Sequence, residues 1–261
     1  MNLHHNSNLT PGKIYLVGVG PGDPELLTLR ALRALRSADA VLHDALVSPE
    51  ILALASPSAI IENVGKRCGA HRMRQHEIHE RMIELASAGL TVVRLQGGDP
   101  LLFGRAAEEI AAIARAGLEC EIIPGVTAAS AAAAAAQISL TDRTSAAQVL
   151  FLTGHRAGSL QPEIPPPPPG GATIVTYMPG NSYRELADRF RLAGWPRETP
   201  CLVISEASTP SQAIIHATLD TIGDCGPLPA PAIFIAGEVA RLREGLPSDN
   251  LLTCASVRSS S

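Results

Sequence analysis

Several patterns that define other classes of protein are missing from this chain of 261 residues. No apolar run approaches the roughly 20 residues that a membrane-spanning helix needs. The polar first eleven residues lack the basic and apolar pattern of a signal peptide. The five cysteines form no CxxC pair, which argues against a disulfide framework or a zinc ribbon and favours reduced thiols. We therefore expect a cytoplasmic globular protein that does not enter a membrane.

The chain also lacks an excess of positive charge and two familiar catalytic motifs. The formal net charge is −4, so a general affinity for nucleic acid is not expected. No GxSxG elbow is present, which argues against a serine hydrolase of that type. The segment HEIHE, residues 76–80, differs from the zinc-binding pattern HExxH. We expect an exposed helix face there and no metal site.

What the first half of the chain does contain is an alternation of β-rich runs and helical patterns, which predicts an α/β fold with βα units around a mostly parallel sheet, and later β-rich runs predict a second sheet. Predicted strands cover residues 14–19, 40–46, 91–96, 149–155, 173–178, 201–207 and 232–239. Predicted helices cover residues 25–37, 73–88, 106–116 and 127–137. Proline and glycine in IIPGVT, residues 122–127, predict a boundary between domains 12–123 and 124–246, with flexible tails at 1–11 and 247–261.

The first glycine turn, in VGVGPGDPELLTLRA (residues 17–31), is close to a dinucleotide fingerprint but departs from it. Its third glycine falls one place too early for GxGxxG. Pro21 and Pro24 have no N–H to offer a phosphate, and Asp23 is placed to cap the following helix. The sequence therefore predicts a rigid wall at this turn and argues against NAD.

A second glycine turn, GGDP at residues 97–100, follows another predicted strand. Ligands of parallel sheets lie outside the carboxyl ends of the strands, and Asp44 and Met178 also stand at such ends. A ligand held there by backbone groups and carboxylates would be cationic or zwitterionic. S-adenosylmethionine, with its sulfonium and ammonium groups, has that chemistry.

Basic residues are concentrated in GKRCGAHRMR, residues 65–74, where no acid accompanies them. Further arginines near predicted strand ends or in turns are Arg94, Arg105, Arg143 and Arg156. In an acidic protein, such a concentration on the ligand side favours a multiply anionic substrate, such as a polycarboxylate.

A series of segments resembles, in order and spacing, the uroporphyrinogen-III C-methyltransferases, which are S-adenosylmethionine-dependent tetrapyrrole methylases. The resemblance covers residues 12–246 and rests on VGVGPGDPELLTLRA, HDALVS, GKRCGAHRMRQHEI, VVRLQGGDPLLFGRAAEE, IIPGVTAASAA, FLTGH and VTYM. The chain departs from the common family pattern at a few positions. Gln96 stands where Lys is frequent, His79 where Asn is frequent, and Ala106 and Ala107 where a glycine pair is frequent.

The resemblance implies two α/β domains of the tetrapyrrole methylase type, with the active site in the cleft between them, in a homodimer. It implies two successive methylations of uroporphyrinogen III to precorrin-2, on the routes to siroheme and cobalamin. It places the proton acceptor at Asp44, the proton donor at Lys66, and substrate binding and catalysis at Arg105 and Glu108. The cofactor contacts that it implies are Pro21, Gly97, Gly98, Asp99, Leu102, Thr127, Ala128, Met178 and Ala207.

Two other functions stay open from the residues. One is a related precorrin methylase that acts at another macrocycle position, although the GKR and FGRAAEE segments count against it. The other is a nucleotide-binding oxidoreductase or a nucleotide sensor.

Overall fold

The structure is a computed structural model that describes residues 10–65, 73–154 and 163–241 and the backbone of the short strand Leu251–Leu252. The chain divides into two compact units, Met1–Thr127 and Ala128–Ser261. The division expected after residue 123 lies instead after Thr127, and the whole IIPGVT segment belongs to the first unit.

The first unit is built on a parallel sheet of five strands. They are β1 (Ile14–Gly18), β2 (Ala40–His43), β3 (Ile60–Asn63), β4 (Val92–Gln96) and β5 (Cys120–Ile123). Their spatial order is β3-β2-β4-β1-β5, and every neighbouring pair is parallel. The predicted α/β class is thereby confirmed for this unit. Strands β3 and β5 were not predicted, because these edge strands are partly exposed and give no clear hydrophobic pattern.

Helices cover both faces of this sheet. They are α1 (Leu29–Arg36), α2 (Pro49–Leu52), α3 (Gln75–Ser87) and α4 (Ala106–Arg115). Helices α1 and α2 pack against alternate strand residues such as Val17 and Val93. Helices α3 and α4 pack against the residues between them, such as Leu16 and Val92. This division follows from the two-residue side-chain period of a strand.

The single helix predicted for residues 25–37 is wrong. A short 3-10 helix, Pro24–Leu26, is capped by the Asp23 carboxylate. Leu27 then takes an extended conformation, and Thr28 caps the separate helix α1 by accepting a hydrogen bond from the amide of Ala31. Thr28 is a favoured N-cap residue inside the apolar pattern, and this local signal interrupts the helix.

The second unit contains a mixed sheet of six strands. They are β6 (Gln148–Thr153), β7 (Ala172–Tyr177), β8 (Pro200–Ser205), β9 (Ala213–Thr218), β10 (Ala232–Ala236) and β11 (Leu251–Leu252). Their order is β11-β9-β8-β10-β7-β6, with parallel pairing only at β11/β9 and β6/β7. Strand β9 was not predicted, and β11 lies inside the tail that the sequence analysis expected to be flexible. Strand β11 pairs in parallel with β9.

Two helices of this unit pack on opposite faces of the sheet. Helix α5 (Ala128–Ala135) lies against residues such as Leu202 and Ile235. Helix α6 (Tyr183–Leu192) lies against the other face, where Phe190 and Phe234 are fully buried. The small side chains of α5 let it approach the sheet closely.

The cysteines depart from the expectation of reduced thiols. Cys120 and Cys201 are free, but Cys225 is disulfide-bonded. Spacing along the sequence could not reveal this, because a disulfide requires proximity in space and not a CxxC pair.

Within the described ranges, no helix is both long and apolar enough to cross a bilayer.

The cap on α1 gives a stability prediction. Thr28→Ala removes the side-chain acceptor for the Ala31 amide, at 3.1 Å, and should cost about 1 kcal/mol of stability. Thermal unfolding should shift down by about 2–4 °C. Thr28→Ser keeps the hydroxyl and should unfold near the parent temperature. Equal unfolding temperatures for the parent and Thr28→Ala would contradict this account of the cap.

Candidate functional site

The polar turns of the first unit meet at the carboxyl edge of its sheet. GPGDP follows β1, Asp44 follows β2 and GGDP follows β4. Because these strands are parallel, their carboxyl ends share one edge. The two glycine turns are joined there by reciprocal backbone hydrogen bonds, from Gly98 N to Gly20 O at 2.7 Å and from Gly20 N to Gly98 O at 3.1 Å.

Two glycines allow these backbones to come close together. A Cβ on Gly18 would lie 2.6 Å from the carbonyl oxygen of Gly98. A Cβ on Gly125 would lie 2.7 Å from the carbonyl carbon of Gly18 and still closer to Gly98. No side chain fits at such distances. Gly125 was not singled out from the sequence, because its neighbours in space lie far away along the chain.

Asp99 fixes the GGDP turn with both carboxylate oxygens. Oδ1 accepts the amide of Leu101 at 2.8 Å, and Oδ2 accepts the amide of Gly125 at 3.0 Å. The carboxylate therefore joins the end of β4 to the segment after β5. In this structure Asp99 holds the backbone of the site, and its negative charge remains at the edge.

Asp44 has a similar bridging position. Its Oδ1 accepts the amide of Leu46 at 2.9 Å, and its Oδ2 faces the amide of Gly97 at 3.4 Å. A Cβ on Gly65 would lie 2.5 Å from the nitrogen of Ala45, so the segment after β3 also packs against this loop. Asp44 thus lies beside the GGDP turn that the sequence analysis assigned to the cofactor.

The turn at Pro21 has the features of a wall and not of a phosphate cradle. Asp23 Oδ1 already accepts the amide of Glu25 at 2.8 Å. The hydroxyl of Ser48 donates to the carbonyl of Gly22 at 3.2 Å. Two prolines, a capping carboxylate and an occupied amide leave little for an anion to bind. This geometry agrees with the argument against NAD.

After the GGDP turn, an ion pair between Arg105 and Glu108 stands at the start of α4. Arg105 has a left-handed backbone, φ 61°, immediately before that helix. Its guanidinium donates to Glu108 through Nε to Oε1 at 2.9 Å and through Nη2 to Oε2 at 2.6 Å. This contact lowers the pKa of Glu108 and raises the pKa of Arg105. Both side chains are about half exposed, while Leu102 is half-buried.

Glu109, the next residue, is fully buried and was missed by the sequence analysis. It accepts hydrogen bonds from Gln96 Nε2 at 2.9 Å and Gln75 Nε2 at 3.0 Å, and Arg94 Nε lies 3.4 Å away. Burial raises the pKa of Glu109, and Arg94 opposes the shift. A signal was present in the sequence, because Glu109 shares the apolar face of α4 with Ala112.

In the second unit, Met178 and Ala207 lie at one edge of the mixed sheet. They follow β7 and β8, which run in the same direction on either side of β10. Met178 is left-handed, φ 50°, and 46% exposed. Glu206 and Ser208 are also left-handed, φ 48° and 67°, on both sides of Ala207. Strained conformations of this kind are concentrated at functional sites.

The remaining predicted residues have simpler positions. Thr127 ends the first unit, and Ala128 begins α5 in the second. Lys66 lies outside the described residues. In the part of the chain that the structure describes, no three His, Cys, Asp or Glu side chains group in a way that could hold a metal ion.

Comparison with known proteins identifies the family. Residues 13–223 match the family model of the Tetrapyrrole (Corrin/Porphyrin) Methylases. The chain belongs to the tetrapyrrole methylases. The match includes both glycine turns, the Arg105–Glu108 pair and Met178, and the resemblance stated from the sequence is confirmed at the level of the family.

Individual relatives of this tetrapyrrole methylase have more specific names. It is 44% identical to the uroporphyrinogen-III C-methyltransferase of Paracoccus denitrificans over 238 residues, which is 89% of this chain and 83% of the relative. It is 43% identical over 239 residues to a siroheme synthase of Psychrobacter, covering 90% of this chain and 49% of the relative. The chain thus spans about half of that longer protein.

A solved structure agrees in fold. The uroporphyrin-III C-methyl transferase of Thermus thermophilus, complexed with S-adenyl homocysteine, superimposes with a TM-score of 0.76 at 38% identity. The match covers 88% of this chain and 99% of the Thermus chain. The predicted two-sheet architecture of the tetrapyrrole methylases is thereby confirmed.

The glycine contact in the first unit of this tetrapyrrole methylase gives a second prediction. Gly125→Ala should displace the Gly98 turn and cost about 1–3 kcal/mol through overpacking. Hydrogen exchange at the amides of Gly20 and Gly98 should accelerate, because their reciprocal bonds depend on the same contact. Gly117→Ala is the control, since a Cβ there has nothing within 4 Å and strains only a left-handed backbone. Unchanged exchange in Gly125→Ala would contradict the prediction.

Proposed function

We propose that the chain is an S-adenosylmethionine-dependent C-methyltransferase that converts uroporphyrinogen III to precorrin-2 by two successive methylations. The observation that carries the proposal is the 44% identity, over 89% of the chain, with the Paracoccus uroporphyrinogen-III C-methyltransferase. The product would serve the routes to siroheme and cobalamin. In the first unit, the carboxylates of Asp44 and Asp99 suit a positively charged methyl donor, and the guanidinium of Arg105 suits a carboxylated substrate.

For the methyl donor, we propose backbone and short side chains in both units as the binding groups. In the first unit they are Pro21, Gly97, Gly98, Asp99, Leu102 and Thr127, and in the second Ala128, Met178 and Ala207. The residues fit a cationic nucleoside, because the Asp99 carboxylate stands at the GGDP turn, and the prolines of the other turn lack the N–H groups that a phosphate would need. S-adenosylmethionine, when bound, supplies an electrophilic methyl group on a positively charged sulfur.

For the substrate, we propose Arg105 as a binding residue for a carboxylate arm. Its guanidinium is half exposed and already forms a two-point contact with a carboxylate, that of Glu108. Glu108 takes Nε and one Nη2 hydrogen, which leaves the Nη1/Nη2 edge of the guanidinium to donate to an acetate or propionate group of a tetrapyrrole. The contact with Glu108 also orients the guanidinium before substrate arrives. Correct orientation of the ring would supply much of the rate acceleration.

For proton transfer, we propose Asp44 as the acceptor. A pyrrole carbon that gains a methyl group leaves positive charge on the ring, and a bridging carbon must then lose a proton. A fixed carboxylate stabilises that charge and can take the proton. Asp44 is fixed by the amides of Leu46 and Gly97. Glu108 is the alternative acceptor, and Lys66 is proposed as the proton donor.

We also propose, from the resemblance, that the enzyme is a homodimer of the cytoplasm. The family match supports the tetrapyrrole substrate. Light scattering on the purified chain would test the assembly, with twice the monomer mass as the expected result.

The direct test of function is incubation with uroporphyrinogen III and methyl-labelled S-adenosylmethionine. The tetrapyrrole should gain two labelled methyl groups. A single methyl group, or transfer only to an already methylated precorrin, would favour the alternative of a precorrin methylase acting elsewhere on the macrocycle. Thermal stabilisation by NAD but not by S-adenosylhomocysteine would favour the alternative of an oxidoreductase or nucleotide sensor.

The position of Asp44 gives a mutational prediction. Asp44→Asn should lower turnover by about 100-fold or more, because the amide cannot accept the proton. Its effect on unfolding should stay within about 1 kcal/mol, since the side-chain oxygen can still accept the Leu46 amide. Turnover is measured by methyl transfer and stability by thermal unfolding.

Asp39→Asn is the matched control for this variant. Asp39 lies at the opposite end of β2, where its Oδ2 accepts the amide of Thr91 at 2.8 Å. This carboxylate is also a backbone acceptor, but it is remote from the carboxyl edge. Equal turnover in Asp44→Asn and Asp39→Asn would remove Asp44 from the mechanism.

A further inference from the structure

A hydrogen-bonded chain leads from the buried Glu109 to a half-buried histidine on the neighbouring helix. Gln75, at the start of α3, donates from Nε2 to Glu109 Oε1 at 3.0 Å. The same nitrogen lies 3.2 Å from Nε2 of His79, one turn further along α3. Neither contact is part of the mechanism described above.

The chemistry of Glu109 fixes the orientation of the Gln75 amide. Gln75 donates from Nε2 to Glu109 Oε1, so its NH2 group, and not its oxygen, faces the carboxyl group. One amide hydrogen is directed to Glu109, and the other is available to His79. Nε2 of His79 must therefore be the acceptor, which places the imidazole proton on Nδ1.

The hydrogen bond from Gln75 to Glu109 joins the first turn of α3 to the first turn of α4, so His79, one turn along α3, lies near the start of α4, where Arg105 and Glu108 stand. Burial lowers the pKa of His79, and the Glu108 carboxylate opposes this shift. The positive charges of Arg105, Arg115 and His76 lower it further. A depressed pKa favours the neutral ring. Protonation would also place a second N–H against the Gln75 amide and break the contact.

We propose that His79 is a substrate-binding residue, whose Nδ1–H donates a hydrogen bond to a carboxylate of the tetrapyrrole beside Arg105. Gln75 and Glu109 are positioning residues that act through His79 by fixing its tautomer and ring orientation. The inference rests on the proposed function and deepens it, because it adds a neutral donor to the cationic recognition of the same substrate.

The consequence for specificity follows from the difference between the two donors. The Arg105 guanidinium attracts any anion over a distance, whereas a neutral N–H contributes only when an oxygen atom is correctly placed. His79 would therefore favour one bound orientation of the tetrapyrrole ring, whereas Arg105 attracts the ring whatever its orientation. Removal of the donor should raise KM for the tetrapyrrole and leave cofactor affinity unchanged.

The test is a double-mutant cycle on KM for uroporphyrinogen III at saturating S-adenosylmethionine. His79→Phe should raise KM about tenfold, the loss expected for one hydrogen bond to a charged acceptor. Gln75→Leu should raise KM by a smaller factor. In the His79→Phe background, Gln75→Leu should have no further effect on KM, because Gln75 acts only through the imidazole.

Two variants control for a merely structural role. His79→Gln keeps a neutral donor and an acceptor, and should recover most of the affinity that His79→Phe loses. His76→Phe changes an exposed histidine on the same helix and should leave KM unchanged. Unfolding temperature and S-adenosylhomocysteine affinity are measured for every variant and should match the parent in the His79 series.

The outcomes separate the inference from the function on which it rests. If the parent chain methylates uroporphyrinogen III and His79→Phe has the parent KM, the inference is overturned and the function stands. Independent, multiplicative effects of the Gln75 and His79 changes would overturn the positioning role. If the parent chain does not methylate this substrate, both the proposed function and the inference fail.

Discussion

The arrangement of the first unit depends on the contact between two backbone turns at the carboxyl edge of its sheet. Gly20 and Gly98 exchange hydrogen bonds, and Gly18 and Gly125 allow the backbone to approach them without a side chain in the way. The contact brings together groups that lie on separate strands. Once it is formed, the carboxylate of Asp99 has a defined partner in the Gly125 amide, and the edge can present carboxylates in fixed positions.

The charged side chains of the first unit fall into two sets, which differ in their hydrogen-bond partners. Asp44 and Asp99 accept backbone amides, so both are anchored without a cationic partner in those contacts. Arg105 and Glu108, in contrast, hold each other and remain half exposed. A fixed anionic surface suits a cationic nucleoside, and an exposed guanidinium suits a carboxylated ring. Two ligands of opposite charge can therefore be distinguished within one unit.

The sequence was sufficient for the features that depend on local patterns. The fold class, the two glycine turns and the departure from a phosphate-binding motif could be predicted, because proline, glycine and capping residues act over a few positions. The break between the 3-10 helix and α1 was missed, since the apolar period continues through Thr28. Strand β9 and the disulfide of Cys225 could not be predicted with the same means, because each depends on partners brought close only by the fold.

The candidate-site residues also divide into those that a local sequence pattern indicates and those that depend on contacts made in the fold. Asp44 and the GGDP turn were found because each follows a buried strand, and strand ends are visible in a sequence. Gly125 was not found, because its importance comes from the backbones of Gly18 and Gly98. Glu109 was not singled out, although its position on the apolar face of α4 was available as a signal.

The burial of Glu109 is difficult to explain as a source of stability alone. A carboxylate removed from water loses hydration, and Arg94, with Nε at 3.4 Å, opposes that loss, but a buried ion pair is often no more stabilising than apolar residues in its place. Apolar residues of similar volume could hold α3, α4 and β4 together equally well. A carboxyl group has a different use: its oxygens accept hydrogen bonds from Nε2 of Gln75 and of Gln96, and they thereby orient both side-chain amides. A buried acceptor in this position defines which atoms the surrounding side chains present to the edge.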